Sequence, residues 1–139
     1  MKLIIEKEVK EIPENFTGIV EYNGDKYWYR NGKRHREDGP AIEWADGSKF
    51  RYLNGKCHRE SGPAIEYADG SKCWFRNGKL HREDGPACEY ADGTKYWYLN
   101  GIFYTESAYK AEIFKRSTPN PCNGKIVEID GKKYQLTAI

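Results

Sequence analysis

The chain of 139 residues has no long apolar run, and this absence already excludes several classes of protein. No segment reaches the roughly 20 apolar residues that a membrane-spanning helix needs. Residues 2–9 have neither the apolar stretch nor the cleavage site of a secretory signal. We therefore expect a cytoplasmic protein and do not expect membrane association.

Cysteine is also scarce. The chain has four, Cys57, Cys73, Cys88 and Cys122, and they form no Cys-x-x-Cys pair. This spacing argues against both a zinc motif and a disulfide framework, so we expect no metal and no other cofactor. Cys73 and Cys88 fall on segments that could be adjacent strands and could approach each other, although reduced, buried thiols fit a cytoplasmic compartment better.

A surplus of one charge is missing too, because 23 basic and 21 acidic residues give a net charge of +2. The two signs are interleaved along the chain, which disfavours nucleic acid as a partner. The chain has no G-x-S-x-G, no phosphate-binding loop and no G-x-G-x-x-G. Its acidic residues recur at equivalent repeat positions, so no single pair stands out as general acid and base. We expect no enzyme activity and no catalytic residues.

What the chain has instead is a unit of 23 residues that occurs three times, at residues 31–53, 54–76 and 77–99. Each copy begins with N-G-K-x-H-R-E-[DS]-G-P-A-[IC]-E-[WY]-A-D-G-[ST]-K and ends in a short aromatic or basic run. Residues 16–31 form a degenerate earlier copy. A fixed period predicts a repeat array, which offers an extended binding surface more often than an enclosed active site.

Each copy contains two turn signals, Asn-Gly and Ala-Asp-Gly, which favour tight hairpins. The chain also has 14% aromatic residues and few aliphatic ones. The turns and this composition together predict an all-β fold: an antiparallel hairpin-repeat meander or solenoid with about two strands per unit. Trp44, Tyr67 and Tyr90 are expected to stack in its core. Equivalent residues would then lie about 10 Å apart, at two strand spacings.

The pattern changes after residue 104. Thr105 is a good N-cap for a helix over residues 107–116, and residues 125–129 and 132–136 predict a terminal hairpin. The helix would cover the last strand edge, while the hairpin could pair with residues 2–9. We expect three regions: an N-terminal strand and linker at 1–15, hairpin repeats at 16–104, and a C-terminal cap of helix and hairpin at 105–139.

The motifs N-G-K-x-H and A-D-G-[ST]-x-[FY] at this period resemble membrane occupation and recognition nexus (MORN) repeats, over about residues 24–104. The form is divergent, because Arg follows each repeat histidine where that family has His-Gly-x-Gly, and the family's Tyr-x-Gly-x-Trp motif is absent. The H-R-E-D-G-P-A version is similar to uncharacterised repeat proteins of phages and bacteria. The resemblance implies an elongated, twisted sheet of hairpins that serves as a scaffold or binding surface.

Candidate binding residues recur at three repeat positions. They are Trp28, Arg51, Trp74 and Trp97 at the first, His35, His58 and His81 at the second, and Arg36, Arg59 and Arg82 at the third. The first position would form an exposed stripe that stacks bases or acts as a protein hot spot, or it would close over as core. The histidines would bond within their own unit, since their spacing is too wide for one metal ion. The arginines would pair with acidic neighbours or hold an anion in their bidentate fork.

These features favour a non-enzymatic binding protein that docks a partner protein through a repeat face or the C-terminal cap. By analogy with the phage proteins, it would inhibit a host defence factor in the host cytoplasm. One alternative is a sponge that holds a small nucleotide signal between Trp, Tyr and Arg side chains. A less favoured one is a nucleic-acid-binding or membrane-associated scaffold. Open sheet edges would also allow homodimers.

Overall fold

The computed structural model describes residues 2–4, 11–117 and 126–135. It confirms a mostly β fold, in which a large antiparallel meander sheet of short hairpins precedes one helix in the described part of the chain. Residues Met1–Tyr104 form one compact unit and Thr105–Ile139 a second. No helix within the described ranges is long and apolar enough to span a membrane.

Most strands of the first unit are only two residues long. Their bounds are β1 Lys2–Ile4, β2 Gly18–Tyr22, β3 Asp25–Arg30, β4 Lys33–Arg34, β5 Ile42–Glu43, β6 Lys49–Phe50, β7 Tyr52–Leu53, β8 Lys56–Cys57, β9 Ile65–Glu66, β10 Lys72–Cys73, β11 Phe75–Arg76, β12 Lys79–Leu80, β13 Cys88–Glu89, β14 Lys95–Leu99 and β15 Ile102–Tyr104. The second unit contains α1 Glu106–Ser117, β16 Ile126–Ile129 and β17 Lys132–Gln135.

The predicted C-terminal elements are confirmed as local structures. Thr105 caps α1, because its Oγ1 accepts a hydrogen bond of 3.3 Å from the N–H of Ala108. Strands β16 and β17 form a separate two-stranded sheet. Strand β1 pairs in parallel with β2. Residues 5–10 and Cys122 lie outside the described ranges.

The repeats contribute two kinds of hairpin. The main sheet runs in the order β1-β2-β3-β5-β6-β9-β10-β13-β14-β15, with β4 beside β3. Its Ala-Asp-Gly turns join β5 to β6, β9 to β10 and β13 to β14. Two of the Asn-Gly turns close small separate hairpins, β7 with β8 and β11 with β12. The units 31–53 and 54–76 thus contain four short strands each, and the expectation of about two is wrong.

The additional breaks lie at Arg51 and Trp74, where the chain changes pairing partners. The N–H of Arg51 donates to the carbonyl of Ala64 in the next unit, at 2.7 Å, while the Arg51 carbonyl accepts from the N–H of His58 at 3.0 Å. The chain therefore leaves the main sheet here and enters the Asn-Gly hairpin. Ala64 has no exposed surface at this crossing, which suits a methyl-sized side chain.

The Asn-Gly turns have the backbone that this dipeptide predicts. At Asn54-Gly55 the φ angles are 50° and 79°, and the equivalent repeat turns at 31–32, 77–78 and 100–101 have closely similar values. Positive φ at both central residues defines a type I′ turn, whose twist matches that of the flanking strands. The predicted hairpins at these positions are confirmed.

Directly opposed residues give the main sheet two different faces. The apolar face carries a row of Val20, Tyr27, Ile42, Phe50, Ile65, Cys73, Cys88 and Tyr96. The charged face carries the alternating row Glu21, Lys26, Glu43, Lys49, Glu66, Lys72, Glu89 and Lys95. Opposite charges at such neighbouring positions contribute roughly 0.2–1 kcal/mol per pair. The interleaved charges of the sequence thus become an ordered ladder on one face.

The aromatic rings of the apolar face contact one another edge to face. The ring centroids of Trp44 and Phe50 are 6.0 Å apart, and those of Phe50 and Tyr67 are 5.5 Å apart. Tyr67 and Tyr90 are nevertheless 40% and 41% exposed, so the expectation that they lie in the core is wrong. They stand next to the Ala-Asp-Gly turns, whose residues are also exposed.

Candidate functional site

Three equivalent loops follow the repeat histidines. They comprise residues 36–40, 59–63 and 82–86, and we call them the Arg loops. In each, the arginine Nη1 donates to the proline carbonyl that ends the loop, at 3.2, 3.2 and 3.1 Å respectively. Its guanidinium group also lies against the loop glycine, where a Cβ at Gly85 would come within 2.9 Å of Arg82 Cζ. Each loop is therefore braced from inside by its own arginine.

The tryptophan and arginine positions, which the sequence analysis treated separately, meet on the charged face. Cζ of Arg36 lies 4.2 Å from the ring centroid of Trp28, and Cζ of Arg82 lies 3.8 Å from that of Trp74. Such cation–π contacts contribute about 0.5–2 kcal/mol. Arginine thus covers these two half-buried rings. The expectation of an exposed aromatic stripe is therefore wrong at Trp28 and Trp74. Trp97 lies outside this arrangement, in β14 opposite Tyr104 of β15.

The repeat histidines connect consecutive units. Nδ1 of His35, His58 and His81 accepts a hydrogen bond from the N–H of Asn54, Asn77 and Asn100 in the following unit, at 2.9, 2.9 and 3.0 Å. The other ring nitrogen faces the unit's own glutamate, as in the 3.4 Å separation of His35 Nε2 and Glu37 Oε1. The prediction of bonding within one unit is therefore right for Nε2 of His35 and wrong for Nδ1 of all three histidines. An Nδ1 that accepts leaves the proton of the neutral ring on Nε2.

A second connector joins the Ala-Asp-Gly turns. The N–H of Ala68 donates to Oγ of the buried Ser48 at 3.0 Å, and the N–H of Ala91 donates to Ser71 Oγ at 2.9 Å. Within one turn, Asp46 Oδ1 accepts from the Ser48 N–H at 2.7 Å, and this bond lowers the pKa of the Asp46 carboxyl. These bonds hold the turns at a fixed spacing along the array.

Consecutive Arg loops border two grooves. The first has a volume of about 530 Å³ and lies between loops 36–40 and 59–63; its lining includes Arg36, Arg51, His58, Arg59 and Ser61. The second has about 550 Å³ and lies between loops 59–63 and 82–86; its lining includes Arg59, Trp74, Arg76, His81 and Arg82. Both volumes fall in the range of sites that hold small ligands or inserted side chains. Most of the predicted binding residues thus line two adjacent grooves.

In each of the two outer Arg loops, the loop arginine bonds to two carboxylates. Arg36 Nε donates to Asp38 Oδ1 at 2.9 Å and its Nη1 to Glu43 Oε1 at 3.3 Å. Arg82 makes the same contacts with Asp84 and Glu89, at 2.8 and 3.0 Å. The hydrogen bond and charge of Arg36 hold the pKa of the Asp38 carboxyl below its usual value. At these two loops the predicted pairing with acidic neighbours is what the structure has.

The middle Arg loop departs from this pattern at two positions. Ser61 stands where the outer loops have aspartate, and Arg51 stands where they have the covering tryptophan. Arg51 Nη1 donates to Glu66 Oε2 at 2.6 Å, while Arg59 Nη1 lies 3.8 Å from the same oxygen. Sequence reasoning named both arginines and missed their convergence, although the two departures from the repeat could have indicated it.

The apolar face holds exposed side chains that sequence reasoning did not select. Tyr67, Tyr90, Tyr96 and Phe103 are all exposed. On the same face, Cys73 and Cys88 oppose each other with their Sγ atoms 2.7 Å apart, so their predicted approach is confirmed. Cys57, Cys73 and Cys88 are free, buried thiols. Across the described ranges, no group of three or more His, Cys, Asp or Glu side chains is placed to hold a metal ion.

Comparison with protein-family models, with curated proteins and with solved structures gives no match for this chain. The grooves, the Arg loops and the two sheet faces therefore carry the functional argument by themselves.

Proposed function

We propose that the chain is a non-enzymatic binding protein that docks a partner protein on its charged face, with the Arg loops as contact elements. The observation that carries this proposal is the repetition of one braced loop at three places with a groove on either side of the middle copy. Loops fixed before binding lose little conformational entropy when a partner arrives, which favours affinity.

The chemistry of the grooves fits a protein surface better than a uniformly charged polymer. At the first groove the arginine side chains are largely buried, whereas the carboxylates of Glu37, Asp38 and Glu60 at its rim are 74%, 85% and 79% exposed. Basic walls under an acidic rim favour a partner of mixed charge and give specificity through complementarity. Nucleic acid would require a continuous basic track instead.

The nucleotide sponge is the second candidate, and one contact weighs against it. A base that stacked on Trp74 would have to displace the Arg82 guanidinium, which already covers the ring at 3.8 Å. Arg82 is in turn held by Pro86, Asp84 and Glu89, so the displacement would break several bonds. A nucleotide would have to enter the grooves by its phosphates rather than by its base.

The resemblance to phage repeat proteins extends this proposal to a host defence factor as the partner, inhibited in the host cytoplasm. The finer description of the array as a MORN-like solenoid, and homodimers formed through its strand edges, belong to the same proposal. None of these extensions changes the docking surface, which is defined by the Arg loops.

Site-specific photo-crosslinking in host lysate tests the docking surface. A photo-crosslinking amino acid in place of Glu60 or Glu83 would sit on the Arg loops, and one in place of Tyr90 would sit on the apolar face. We expect one protein to be captured from positions 60 and 83, with excess unmodified chain competing for it. Capture from position 90 alone would move the docking surface to the apolar face.

Native mass spectrometry of the chain purified from its host separates the two candidates. A co-purifying protein at fixed stoichiometry supports protein docking. A small-molecule adduct that is released on denaturation would support the nucleotide sponge and contradict the proposal. The Ser61→Trp variant, which crowds both grooves at their shared wall without adding charge, should reduce binding in either case and serves as the site control.

A further inference from the structure

We propose that the middle Arg loop is an oxyanion-binding site, in which Arg51, Arg59 and Ser61 hold a carboxylate or phosphate group. This site goes beyond protein docking, because it requires only the chemistry of a small anion. Arg51, Arg59 and Ser61 occur together only at the middle loop. At the outer loops an aspartate stands at the position of Ser61 and pairs with the loop arginine.

The local charge balance is the first argument. At each outer loop one guanidinium faces two carboxylates, Asp38 and Glu43 for Arg36, and Asp84 and Glu89 for Arg82. At the middle loop the two guanidinium groups of Arg51 and Arg59 share the single carboxylate of Glu66. The balance therefore changes from one negative charge in excess to one positive charge in excess.

The orientation of Arg59 is the second argument. Its Nη1 is anchored on the Pro63 carbonyl at 3.2 Å, and its guanidinium lies against Gly62, where a Cβ would come within 3.0 Å of Cζ. In the outer loops the same arrangement directs Nε toward an aspartate oxygen, at 2.9 and 2.8 Å. In the middle loop Nε therefore faces the Ser61 position, and the described residues offer it no hydrogen-bonded acceptor.

The donors at this position suit an oxyanion. The Nε–H of Arg59 and the hydroxyl of Ser61 are two donors where the outer loops place a carboxylate, and hydrogen bonds from a charged donor to an oxyanion are among the stronger ones in proteins. Ser61 is also smaller than aspartate, which leaves space for the ligand. The position opens into the first groove, of about 530 Å³, which a carboxylate or phosphate group can enter.

Arg51 supplies the second positive charge. Its side chain is only 20% exposed, so its charge is poorly screened, and its bond to Glu66 engages that carboxylate at 2.6 Å. The nearby acidic groups, Glu37, Asp38 and Glu60, lie at the exposed rim, where water and salt screen them. The half-buried cations are therefore screened less than these carboxylates, which favours an anion at the Ser61 position.

Two-dimensional NMR of the full chain tests the site, because each arginine Nε–H gives its own resonance. The probes are sodium phosphate and sodium acetate, each titrated against sodium chloride at constant ionic strength. We expect a saturable shift of the Arg59 Nε–H and little change at Arg36 and Arg82. Tighter binding of phosphate would assign the site to phosphoryl groups, and comparable binding of acetate would assign it to carboxylates. A linear response, or equal shifts at all three arginines, would overturn the proposal.

Two variants restore residues that the outer loops already have, so both are expected to fold. Ser61→Asp places a carboxylate on Arg59 and should weaken anion binding at least about tenfold. Arg51→Trp removes the second positive charge and should also weaken it. Unchanged binding in either variant would contradict the proposed site. Asp84→Ser is the matched control: its loop keeps Trp74 and one arginine, and binding there as tight as at Arg59 would overturn the role of Arg51.

Discussion

The main-chain N–H of Asn100 donates a hydrogen bond of 3.0 Å to Nδ1 of His81, across the boundary between two consecutive repeat units. His81 is buried, and the equivalent bonds join His35 to Asn54 and His58 to Asn77. Each histidine thus fixes the start of the next Asn-Gly turn. The role of these residues in the array is first of all structural, even where their rings line a groove.

Replacement of His81 by alanine should lower the free energy of unfolding by about 1–3 kcal/mol, because the Asn100 N–H loses its acceptor in a partly buried place. Denaturant unfolding followed by circular dichroism measures the change. His81→Asn is the matched control, since its Oδ1 can accept the same bond, and it should retain a good part of the stability. Equal losses in the two variants would show that packing, and not this hydrogen bond, is responsible.

Gly85→Ala should destabilise the third Arg loop, because the new Cβ would lie 2.9 Å from Arg82 Cζ and would push the guanidinium off the loop. Because the guanidinium is the far end of a flexible side chain and can move, the cost is that of its weakened hydrogen bonds, about 1 kcal/mol. The effect should be much smaller when Arg82 is already alanine, so a double-mutant cycle over the two positions should show strong coupling. Additive effects would contradict the bracing role of Arg82.

Oxidation with a thiol-specific diazene should join Cys73 to Cys88, which are opposed on β10 and β13 with their sulfur atoms in contact. The hydrogen bond to Cys88 and burial raise the pKa of the Cys73 thiol, while the same bond lowers the pKa of Cys88, so Cys88 is the thiolate that starts the reaction. Peptide mapping without reduction identifies the product, and Cys73→Ser is the control that should abolish it. A comparable yield of links that involve Cys57 would contradict the opposed pair.

The stability of the fold should decline in alkali through Cys57. Burial raises the pKa of this thiol from 9.0 to about 12, so the unfolded chain loses the proton at a lower pH than the folded one. The stabilisation by the neutral thiol is complete below about pH 9 and is lost progressively up to about pH 12.

Over that pH window the free energy of unfolding should fall by up to about 1.4 kcal/mol per pH unit more in the native chain than in Cys57→Ala. Parallel denaturant titrations at several pH values measure this difference. Because the tyrosines and the other cysteines titrate in both proteins, only the difference between the two slopes belongs to Cys57. Identical slopes would contradict its burial.

The turns could be predicted from the sequence because positive φ is a local preference. Asn54-Gly55 favours a type I′ turn whatever surrounds it, and its period reveals the array. The break at Arg51 could not be predicted in the same way. It depends on hydrogen bonds to Ala64 and His58, which become partners only after the units have stacked.

The candidate site, like the fold, could be predicted from the sequence only in part. The repeated Trp, His and Arg positions were visible because they recur, but the stacking of Arg82 on Trp74 requires the loop to fold back over the strand. The exposed rings of Tyr67 and Tyr90 were missed because alternation predicts a face and does not predict what covers it. The sequence shows that the middle loop differs at Ser61, but the consequence of that difference follows only from the positions of Arg51 and Arg59 in the structure.

The connectors between units have a consequence for how such a chain can evolve. The units 31–53 and 54–76 offer the same acceptors at one end, Nδ1 of the histidine and Oγ of Ser48 or Ser71, and the same main-chain donors at the other. An in-frame duplication of one unit therefore inserts a segment that fits both of its neighbours without compensating substitutions. Each duplication would lengthen the array by about 10 Å, two strand spacings, and would add one groove. The length of the binding surface would therefore change in evolution by one whole repeat unit at a time.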